Sequence, residues 1–535
     1  MRGGERRLQT APNAWSAAQT FSLISISRSR AEVVYSRGRS RGRRRGISAI
    51  GVGDSRYAIC MRRLPDLGQR RWMLSVAIPV RALRPRAARF TAAFAMLFIL
   101  ASCFVGVQNE DRAATASTDT GIFTEPAMVN DNRANIQAAP CAVQRSDGEL
   151  VVVWQDSRNG DEDIYVARSS DNAATFGRNT RADDASTSSK QMEPSAAISG
   201  SDTIYLVWQD NRHNRIDYDI YMTSSTDGGL TFTPNVKVDD SNSTISWQER
   251  PSAAVADDGT IVVAWTDDRT GTLRVRRSIS VDNGQTFSPS SDLNLLPSAS
   301  SGQTGAALTS NMGTVFAVFM DNSLGTPHPY LCTSTDSGRT FGAPVRLDST
   351  GVPGSSQRAP ALAPHPDGGV LVVWEDSRNG GWDIYGALVS AEGALTGSDF
   401  RVDDSPDGWD QRDPSAGVDA NGNLYAAWED DRDNAYAVRF SYAFAGTTAF
   451  WPSIEVSVPS SDTMQRKAVV HVASPGTVYV SWQDDSEGSY DVFASRGFFP
   501  ELATLIPEFS DIGLPFLALL VPVVVLALRR RLPGA

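Results

Sequence analysis

The chain contains few of the residues that build disulfide frameworks and metal centres. Its 535 residues include only four cysteines and four histidines. Cys141 and Cys332 are the only cysteines of the main body, and their wide separation argues against a disulfide framework and favours two buried thiols. The histidines are scattered, without the ligand spacing of a zinc site or a Ser-His-Asp arrangement. Nothing here therefore indicates a disulfide-rich or zinc-dependent protein.

Positive charge is scarce in the main body and concentrated at the ends. Residues 1–103 contain 20 arginines, no lysine and four acidic residues. Residues 104–528 contain 27 basic and 57 acidic side chains, a net charge near −30. Such a field repels nucleic acid and anionic membranes and is compatible with cation binding. We therefore expect no nucleic-acid partner.

The segment ahead of the main body resembles a targeting sequence. Residues 84–107 have a basic flank followed by an apolar run of signal-peptide length, which predicts a signal peptide or signal anchor before a linker at 108–121. Within this run, "LASC" (100–103) resembles a bacterial lipobox and would place a lipid on Cys103.

The residues before this segment have no apolar periodicity. Residues 1–83 are rich in arginine, as in "RGRSRGRRRG", and a signal sequence rarely begins so far into a chain. We interpret this segment as disordered or as lying upstream of the true start, which would be Met61 or Met73.

The C-terminal end predicts a membrane anchor. Residues 512–528 are almost all apolar and just long enough for a transmembrane helix, which a linker at 500–511 precedes. The basic tail at 529–535 should remain cytoplasmic, leaving the main body outside. With the Pro-Glu-Phe triplet at 507–509, this end resembles the sorting tails of archaeal and some bacterial surface proteins, which implies a cell-surface location.

A short motif recurs seven times in the main body, at intervals of 54 to 57 residues. Each copy has an aromatic residue, which is Phe319 in the fourth copy and otherwise Trp154, Trp208, Trp265, Trp374, Trp428 and Trp482. Each has an aspartate two residues later: Asp156, Asp210, Asp267, Asp321, Asp376, Asp430 and Asp484. Each has a glutamine upstream: Gln137, Gln191, Gln248, Gln303, Gln357, Gln411 and Gln465. Such a period is typical of propellers and solenoids.

The strand pattern within one repeat decides between these two architectures. Each unit contains four short strand-like runs, among them "IVVAW" and "DIYVARS", separated by turn residues. Four-stranded sheets repeated radially are the blades of a β-propeller. The segment "FTEPAMVNDN" (123–132) matches the fourth strands, whereas the last unit lacks one. We therefore predict a seven-bladed propeller over 122–499, closed by an N-terminal outer strand.

Turns after the third strands contain a second motif. "SSTDGGLTF", "SVDNGQTF" and "STDSGRTF" match the Asp-box, and "SSDNAATF" is a worn copy with Ala173 in place of glycine. The Asp-box residues are Asp171, Asp227, Gly229, Asp282, Gly284, Asp336 and Gly338. The propeller therefore resembles the sialidase-like (Asp-box, or BNR repeat) β-propeller superfamily, a likeness that covers the whole repeat region.

The resemblance implies a fold more than an activity. Family sialidases would have six blades, an Arg-Ile-Pro motif, an arginine triad, a tyrosine nucleophile paired with glutamate, and an aspartate acid/base. Here there are seven units, and the first blade reads "QAAPCAV" (137–143) without Arg-Ile-Pro. No catalytic residue is therefore carried over to this chain.

The repeated polar residues favour an architectural role. An arginine follows the repeated aspartate in five copies, at Arg158, Arg212, Arg269, Arg378 and Arg432. A residue needed once for catalysis would not recur in every blade. We predict that the repeated aspartates and glutamines provide blade-to-blade hydrogen bonds and Asp–Arg pairs.

Residues that break the repeat are the candidates for function. They lie in the loops opposite the Asp-boxes and comprise Trp247, Trp382, Trp409, Arg250, Arg358, Arg412 and Arg466. Aromatic rings beside guanidinium groups suit a sugar or a carboxylate-bearing ligand. The alternative is that the arginines neutralise acidic loops and the tryptophans cover loop edges.

Acidic doublets end several fourth strands, and two interpretations of them are open. The doublets are Asp183–Asp184, Asp239–Asp240 and Asp403–Asp404. They could bind Ca²⁺, but no spacing resembles an EF-hand, and solvated turn residues are the favoured interpretation. We expect no other cofactor and no dedicated metal site.

Together these observations predict an all-β protein of the cell membrane with its propeller outside. The expected function is binding of glycans or partner proteins, by a monomer, through the loop face bearing Trp382, Trp409 and the arginines. A sialidase-like exo-glycosidase is one alternative, and a structural envelope protein without a small ligand is another. The sequence leaves the ligand unidentified.

Overall fold

The chain divides into two units, residues 1–118 and 119–535. The computed structural model describes residues 22–25, 34–37, 58–63, 72–77 and 122–503, except 186–187, 243–244, 294–300, 350–351, 407, 434 and 457–462. In the first unit, β1 (Ser22–Ser25) pairs with β2 (Val34–Arg37), and β3 (Ala58–Arg63) pairs with β4 (Trp72–Ala77). These antiparallel pairs lie in the Arg-rich segment, where no strands were expected.

The second unit consists of seven four-stranded antiparallel sheets. From the inner to the outer strand, blade one consists of β6 (Gln137–Gln144), β7 (Leu150–Asp156), β8 (Asp163–Ser169) and β9 (Thr180–Arg181). Blade two consists of β10 (Gln191–Ile198), β11 (Ile204–Asp210), β12 (Asp219–Ser225) and β13 (Val236–Lys237). Blade three consists of β14 (Gln248–Val255), β15 (Ile261–Asp267), β16 (Arg274–Ser280) and β17 (Ser291–Asp292).

Blades four to seven follow the same order. Blade four consists of β18 (Gln303–Asn311), β19 (Thr314–Asp321), β20 (His328–Ser334) and β21 (Val345–Arg346), and blade five of β22 (Gln357–Pro364), β23 (Val370–Asp376), β24 (Asp383–Val389) and β25 (Phe400–Arg401). Blade six consists of β26 (Gln411–Val418), β27 (Leu424–Asp430), β28 (Ala437–Ala443) and β29 (Ile454–Glu455). Blade seven consists of β30 (Gln465–Ser474), β31 (Thr477–Asp484), β32 (Asp491–Phe498) and β5 (Ala127–Met128).

The second strand of each blade forms the core. All seven residues of β15, "IVVAWTD", are buried, because neighbouring blades cover both faces of the sheet. The six repeated tryptophans and Phe319 are completely buried. Inner strands of successive blades contact one another around the ring, from β6 to β30 and back to β6. The predicted seven-bladed propeller is confirmed.

The N-terminal strand closes the ring, as predicted. Residues Ala127 and Met128 pair with Ala494 and Phe493 of β32, so β5, which precedes the first blade in sequence, becomes the outer strand of blade seven. Closure satisfies backbone groups that an open array would leave unpaired. The short helix α1 (Pro500–Ala503) follows, and Leu502 is buried against blade six.

The predicted targeting segments lie outside the described residues. These are the signal segment at 84–107 with Cys103, the membrane span at 512–528 and the sorting tail. Within the described part of the chain, no helix is long and apolar enough to cross a membrane.

The Asp-box turns lie between the third and fourth strands and fix their own backbone. Asp227 Oδ1 accepts the Thr231 amide at 2.9 Å, and Ser225 Oγ accepts the Gly229 amide at 2.8 Å. The same bonds recur at Asp282 and Asp336 and in the worn copy at Asp171. Each turn needs a residue with positive φ, which glycine adopts without strain.

Gly338→Ala should destabilise the propeller by about 2 to 3 kcal/mol. Gly338 has a φ of 80°, and an added Cβ would lie 2.4 Å from Val262 Cγ2 of the preceding blade. Ala173→Gly is the matched control, because Ala173 occupies the same turn position at a φ of 62° with its methyl group buried. Relief of strain there should offset the lost methyl. Chemical denaturation should show a clear decrease in the free energy of unfolding for Gly338→Ala but not for Ala173→Gly.

Candidate functional site

The repeated Trp-x-Asp-x-Arg motif forms a hydrogen-bonded latch within each blade. In blade two, Asp210 accepts Trp208 Nε1 at 3.0 Å, Gln191 Nε2 at 3.1 Å and the Arg212 guanidinium at 2.7 Å. Asp–Arg pairs at 2.5 to 2.7 Å occur in all five blades that have the arginine. These aspartates are almost completely buried, so their carboxylates require these partners.

The acidic doublets connect neighbouring blades. The first member is buried and accepts an amide of the third strand, as Asp239 does from Ile220 N at 2.8 Å. The second member binds the latch arginine of the next blade, as Asp184 does with Arg212 at 2.6 Å. The prediction of solvated turn residues is therefore wrong for the first members, which are buried, whereas the second members remain partly exposed to solvent.

In blade four, serine takes the second position of the doublet, but a carboxylate from the next blade is present there. Ser349 ends blade four, and its hydroxyl instead donates to Asp399 of blade five, which pairs with Arg378 at 2.7 Å. The doublet oxygens bind arginines and amides of the propeller. Among the described residues, no group of three or more His, Cys, Asp or Glu is placed to hold a metal ion.

A second link between blades uses the variable residue of Trp-x-Asp. The inner strand of every blade contains a bulge whose residue has positive φ, for example Lys467 at 55°. The amide of that residue donates to the variable side chain of the preceding blade, as Lys467 N does to Glu429 Oε1 at 2.8 Å. Six of the seven junctions have this bond; at the fourth-to-fifth junction the variable residue is Met320.

These bonds fix a set of equivalent positions around the face on which each inner strand begins, here called the mouth face. In every blade the repeated glutamine amide donates to the carbonyl just before the preceding blade's third strand, as Gln411 N does to Trp382 O at 2.6 Å. The amide before the glutamine donates to the side chain after the repeated aspartate, as Met464 N does to Asp485 at 2.7 Å. The mouth-face backbone is thus nearly constant, and only residue identity differs.

Blades five to seven differ from the others at these positions and carry an arginine arc, comprising Arg358, Arg412 and Arg466, each directly after the repeated glutamine. The same position in blades one to four holds Ala138, Met192, Glu249 and Thr304. Arg358 lies over the Trp382 ring at 3.9 Å and Arg466 over the Tyr436 ring at 4.4 Å. Such stacking orients a guanidinium while leaving its edge available to a ligand.

The three arginines of the arc differ in how their charge is balanced. Arg358 pairs with the buried Glu375 at 2.5 Å, and Arg412 donates to Asp410. Arg466 has no ion pair within the described ranges; its guanidinium contacts Met464 Sδ at 3.8 Å. Two arginines therefore neutralise local acids, as the alternative interpretation expects, and Arg466 does not.

A carboxylate pair lies beside the arc. Glu429 is almost completely buried, and its carboxyl hydrogen-bonds the side chain of Asp413. Burial, together with the negative charge of Asp413, raises the pKa of Glu429 to about 8. Burial alone would raise the pKa of Asp413, but the Lys467 ammonium, 3.1 Å away, holds it below its usual value. At neutral pH one carboxyl is therefore protonated and the other ionised.

Solved structures similar to this chain include several enzymes. The chain is 14% identical to a protein of unknown function from Dyadobacter fermentans, over 70% of this chain and 99% of that one (TM-score 0.46). It is 12% identical to the NanB sialidase of Streptococcus pneumoniae, over 71% of each chain (TM-score 0.40), and 13% identical to the polysaccharide lyase Uly1, over 72% and 94% (TM-score 0.45). No protein-family model and no curated protein matches the chain.

Similarities this low carry no argument about ligand or activity. The propeller is established by the chain's own seven sheets, and the function has to be argued from the mouth face.

The structure brings most of the predicted site residues to one place. A Cβ on Gly381 would lie 2.4 Å from Trp409 O, so the segment bearing Trp409 packs directly beside Trp382 and the arc. Trp247 and Arg250 belong instead to blade three, on another part of the ring. Both are exposed, and Arg250 forms no ion pair within the described ranges. They are not part of the arginine arc.

Sequence reasoning missed several residues of this site. These are Glu375, Asp413, Glu429, Tyr436 and Lys467. Glu429 and Glu375 occupy the variable place of Trp-x-Asp, which carries no pattern of its own. Tyr436 aligns with Trp382 directly before the third strand, and comparison of that column across the repeats would have revealed it.

The two cysteines of the main body are free thiols, and burial raises the pKa of each to about 12. At neutral pH they remain protonated and do not contribute a thiolate nucleophile or ligand.

Proposed function

We propose that the propeller is a binding module for acidic glycans, which it holds at the arginine arc of the mouth face. The observation that carries this proposal is the placement of Arg358, Arg412 and Arg466 on three successive blades, beside aromatic rings, in a body with a net charge near −30. Stacked guanidinium groups bind carboxylates with directional hydrogen bonds, and aromatic rings pack against sugar rings.

The fold does not require arginines at these positions. Blades one to four build the same bulge and the same glutamine hydrogen bond without them. Arg466 in particular lies over the Tyr436 ring without a carboxylate partner in the described ranges, so its guanidinium is available to a carboxylate of the ligand. An acidic sugar would provide both the carboxylate and the ring.

A second candidate function is glycoside hydrolysis, and one observation favours it. Asp413 and Glu429 are adjacent carboxyls whose pKa values are shifted in opposite directions. A protonated acid beside an ionised carboxylate is an arrangement that acid–base catalysis uses. The proposal of binding without turnover is preferred because Glu429 is buried, whereas a catalytic acid must reach the glycosidic oxygen.

The expected setting is the cell surface, with the propeller outside the cell and the apolar C-terminal segment as its anchor. This part of the proposal rests on the sequence of the flanking segments alone. A structural envelope role without a ligand is the remaining alternative.

A glycan array probed with the full chain tests the proposal, scored for retained protein and for sugar lost from the spots. Retention on carboxylated glycans and not on their neutral counterparts is the expected result. Loss of terminal sugar would instead establish the enzyme. A blank array would leave the envelope role.

Arg466→Ala should lower the affinity for a retained acidic glycan at least tenfold, because a charged hydrogen-bond donor of the arc is lost. Lys190→Ala is the matched control, since Lys190 lies on the mouth face of blade two and pairs with Glu162 at 3.0 Å. Isothermal titration calorimetry on both variants measures the difference. Equal losses of affinity in the two variants would indicate a general effect of charge rather than a binding site at the arginine arc.

A further inference from the structure

Blade six lacks a hydrogen-bonded relay that lies beside the repeated glutamine in blade three, and its glutamine has no substitute partner. In blade three, Gln248 Nε2 donates to Ser246 Oγ at 3.2 Å, and Ser246 Oγ bonds Ser241 Oγ at 3.1 Å. The residue two positions before the glutamine is a serine or threonine in five blades: Ser189, Ser246, Ser301, Ser355 and Thr463. In blade six Trp409 takes this place.

The replacement leaves both ends of the relay without a partner. Gln411 is completely buried, yet neither its Oε1 nor its Nε2 has a hydrogen-bond partner within the described ranges. Ser405, which corresponds to Ser241 of blade three, is buried as well, and its hydroxyl is also unpartnered. Asp430, the counterpart of the aspartate that accepts the glutamine amide in blade two, is bound by Trp428 and Arg432 but forms no bond with Gln411. Glutamine Oε1 is also without a partner in blades two, four and five, whereas Nε2 is without one only in blade six among the described residues. The two buried atoms that the replacement leaves unpartnered, Gln411 Nε2 and Ser405 Oγ, are costly.

The unpartnered groups of Gln411 and Ser405 lie next to the arginine arc, where hydrogen bonds hold the surrounding backbone in place. Asp410 Oδ1 accepts the Trp382 amide at 3.1 Å, and its other oxygen accepts Arg412. Gln411 N donates to Trp382 O at 2.6 Å. The backbone around Trp409 is therefore fixed, and the Trp409 side chain is only partly buried.

We propose that Trp409, Gln411 and Ser405 form a sugar subsite in which a ligand hydroxyl takes the place of the missing serine hydroxyl. A hydroxyl can accept from Gln411 Nε2 while bonding Ser405 Oγ, so it restores the relay seen in blade three. Entry requires the Trp409 side chain to rotate, and its indole then provides an aromatic face for the sugar ring. The inference rests on the proposed glycan binding. It adds a position that binds a sugar hydroxyl beside the arginine arc, which binds the carboxylate.

Two substitutions of glutamine by methionine test the subsite. Gln411→Met removes an unpartnered amide, so the melting temperature should stay equal or rise, while affinity for the sugar should fall at least tenfold. Gln248→Met, the matched control in blade three, breaks an intact relay and should lower the melting temperature without changing affinity. Trp409→Ser rebuilds the relay and should also lower the affinity at least tenfold.

The measurement is calorimetric titration of the full-length variants with 3′-sialyllactose and with trigalacturonate, alongside thermal unfolding. Unchanged affinity in both Gln411→Met and Trp409→Ser would overturn the proposal and would mean that the gap holds at most a water molecule. If Arg466→Ala loses binding while these two variants keep it, the subsite is wrong and the proposed function holds. If the unmodified protein binds neither sugar, both proposals fail for these ligands.

Discussion

Replacing Asp210 by asparagine should destabilise the propeller by about 3 kcal/mol. Its carboxylate accepts hydrogen bonds from Trp208 Nε1, Gln191 Nε2 and Arg212, and it balances the largely buried guanidinium at 2.7 Å. Trp and Arg can only donate, so the amide group of asparagine would face donors that cannot reverse. Denaturation by guanidinium chloride, followed by tryptophan fluorescence, measures the change.

Asp321→Asn provides the matched control in blade four. Asp321 is equally buried but accepts only Ser301 Oγ, Gln303 Nε2 and the Ser323 amide, with no arginine and with Phe319 in place of tryptophan. The hydroxyl and the glutamine amide can reverse their roles, so the cost should be about 1 kcal/mol or less. Equal losses at the two positions would mean that the arginine pair adds nothing to the latch.

The fold could be predicted because the same physical requirement recurs seven times. A strand between two sheets must be apolar on both faces, and the buried Trp–Asp pair must recur wherever that strand ends, as at Trp265 and Asp267. Seven repetitions averaged out the exceptions, such as Phe319. Ring closure could be predicted because the last unit lacked a fourth strand, whereas the segment before the first unit matched a fourth strand.

The blade junctions were less predictable, because their hydrogen bonds come from backbone amides. The bulge position holds Ala139, Glu193, Gly305 or Lys467 in different blades, and its acceptor is Gln, Thr or Glu. A bond that uses the amide of any residue places no demand on residue type. The letters that recur in every repeat therefore pointed to Asp and Gln, whereas the contacts between blades also involve the residue between Trp and Asp.

The site itself was only half predictable for the same reason. Arg358, Arg412 and Arg466 stand out because they replace neutral or acidic residues in one column of the repeat. The role of Glu429, on the second strand of blade six, depends on the proximity of Asp413 and Lys467 from the inner strands of blades six and seven, which no linear pattern encodes. Burial then shifts its pKa in a way that composition cannot reveal.

Glu429→Gln should remove a pH dependence from the stability of the propeller. Folding raises the pKa of Glu429 to about 8, so between pH 5 and 8 the folded protein keeps a proton that the unfolded chain has lost. The stability that this group contributes is complete at low pH and is lost as pH rises toward 8. The free energy of unfolding of the unmodified protein should therefore fall relative to Glu429→Gln by about 1.4 kcal/mol per pH unit in this range.

Other groups do not obscure this comparison. The pKa of Asp413 lies below its usual value, so Asp413 is ionised in both states above pH 5, and carboxyls with raised pKa values elsewhere, such as Asp163 and Asp239, are common to both proteins. Glutamine also preserves an acceptor for Lys467 N.

Glu375→Gln is the matched control, because Glu375 fills the same place in blade five but pairs with Arg358 at 2.5 Å. At pH 8 this variant should be less stable than the unmodified protein, since it loses an ion pair, whereas Glu429→Gln should be more stable. The measurement is the free energy of unfolding of the unmodified protein and of both variants, from denaturation curves at pH 5, 6, 7 and 8. A constant difference between the unmodified protein and Glu429→Gln would mean that Glu429 is already ionised in the folded state, and the protonated carboxyl beside Asp413 would then be lost as a candidate acid.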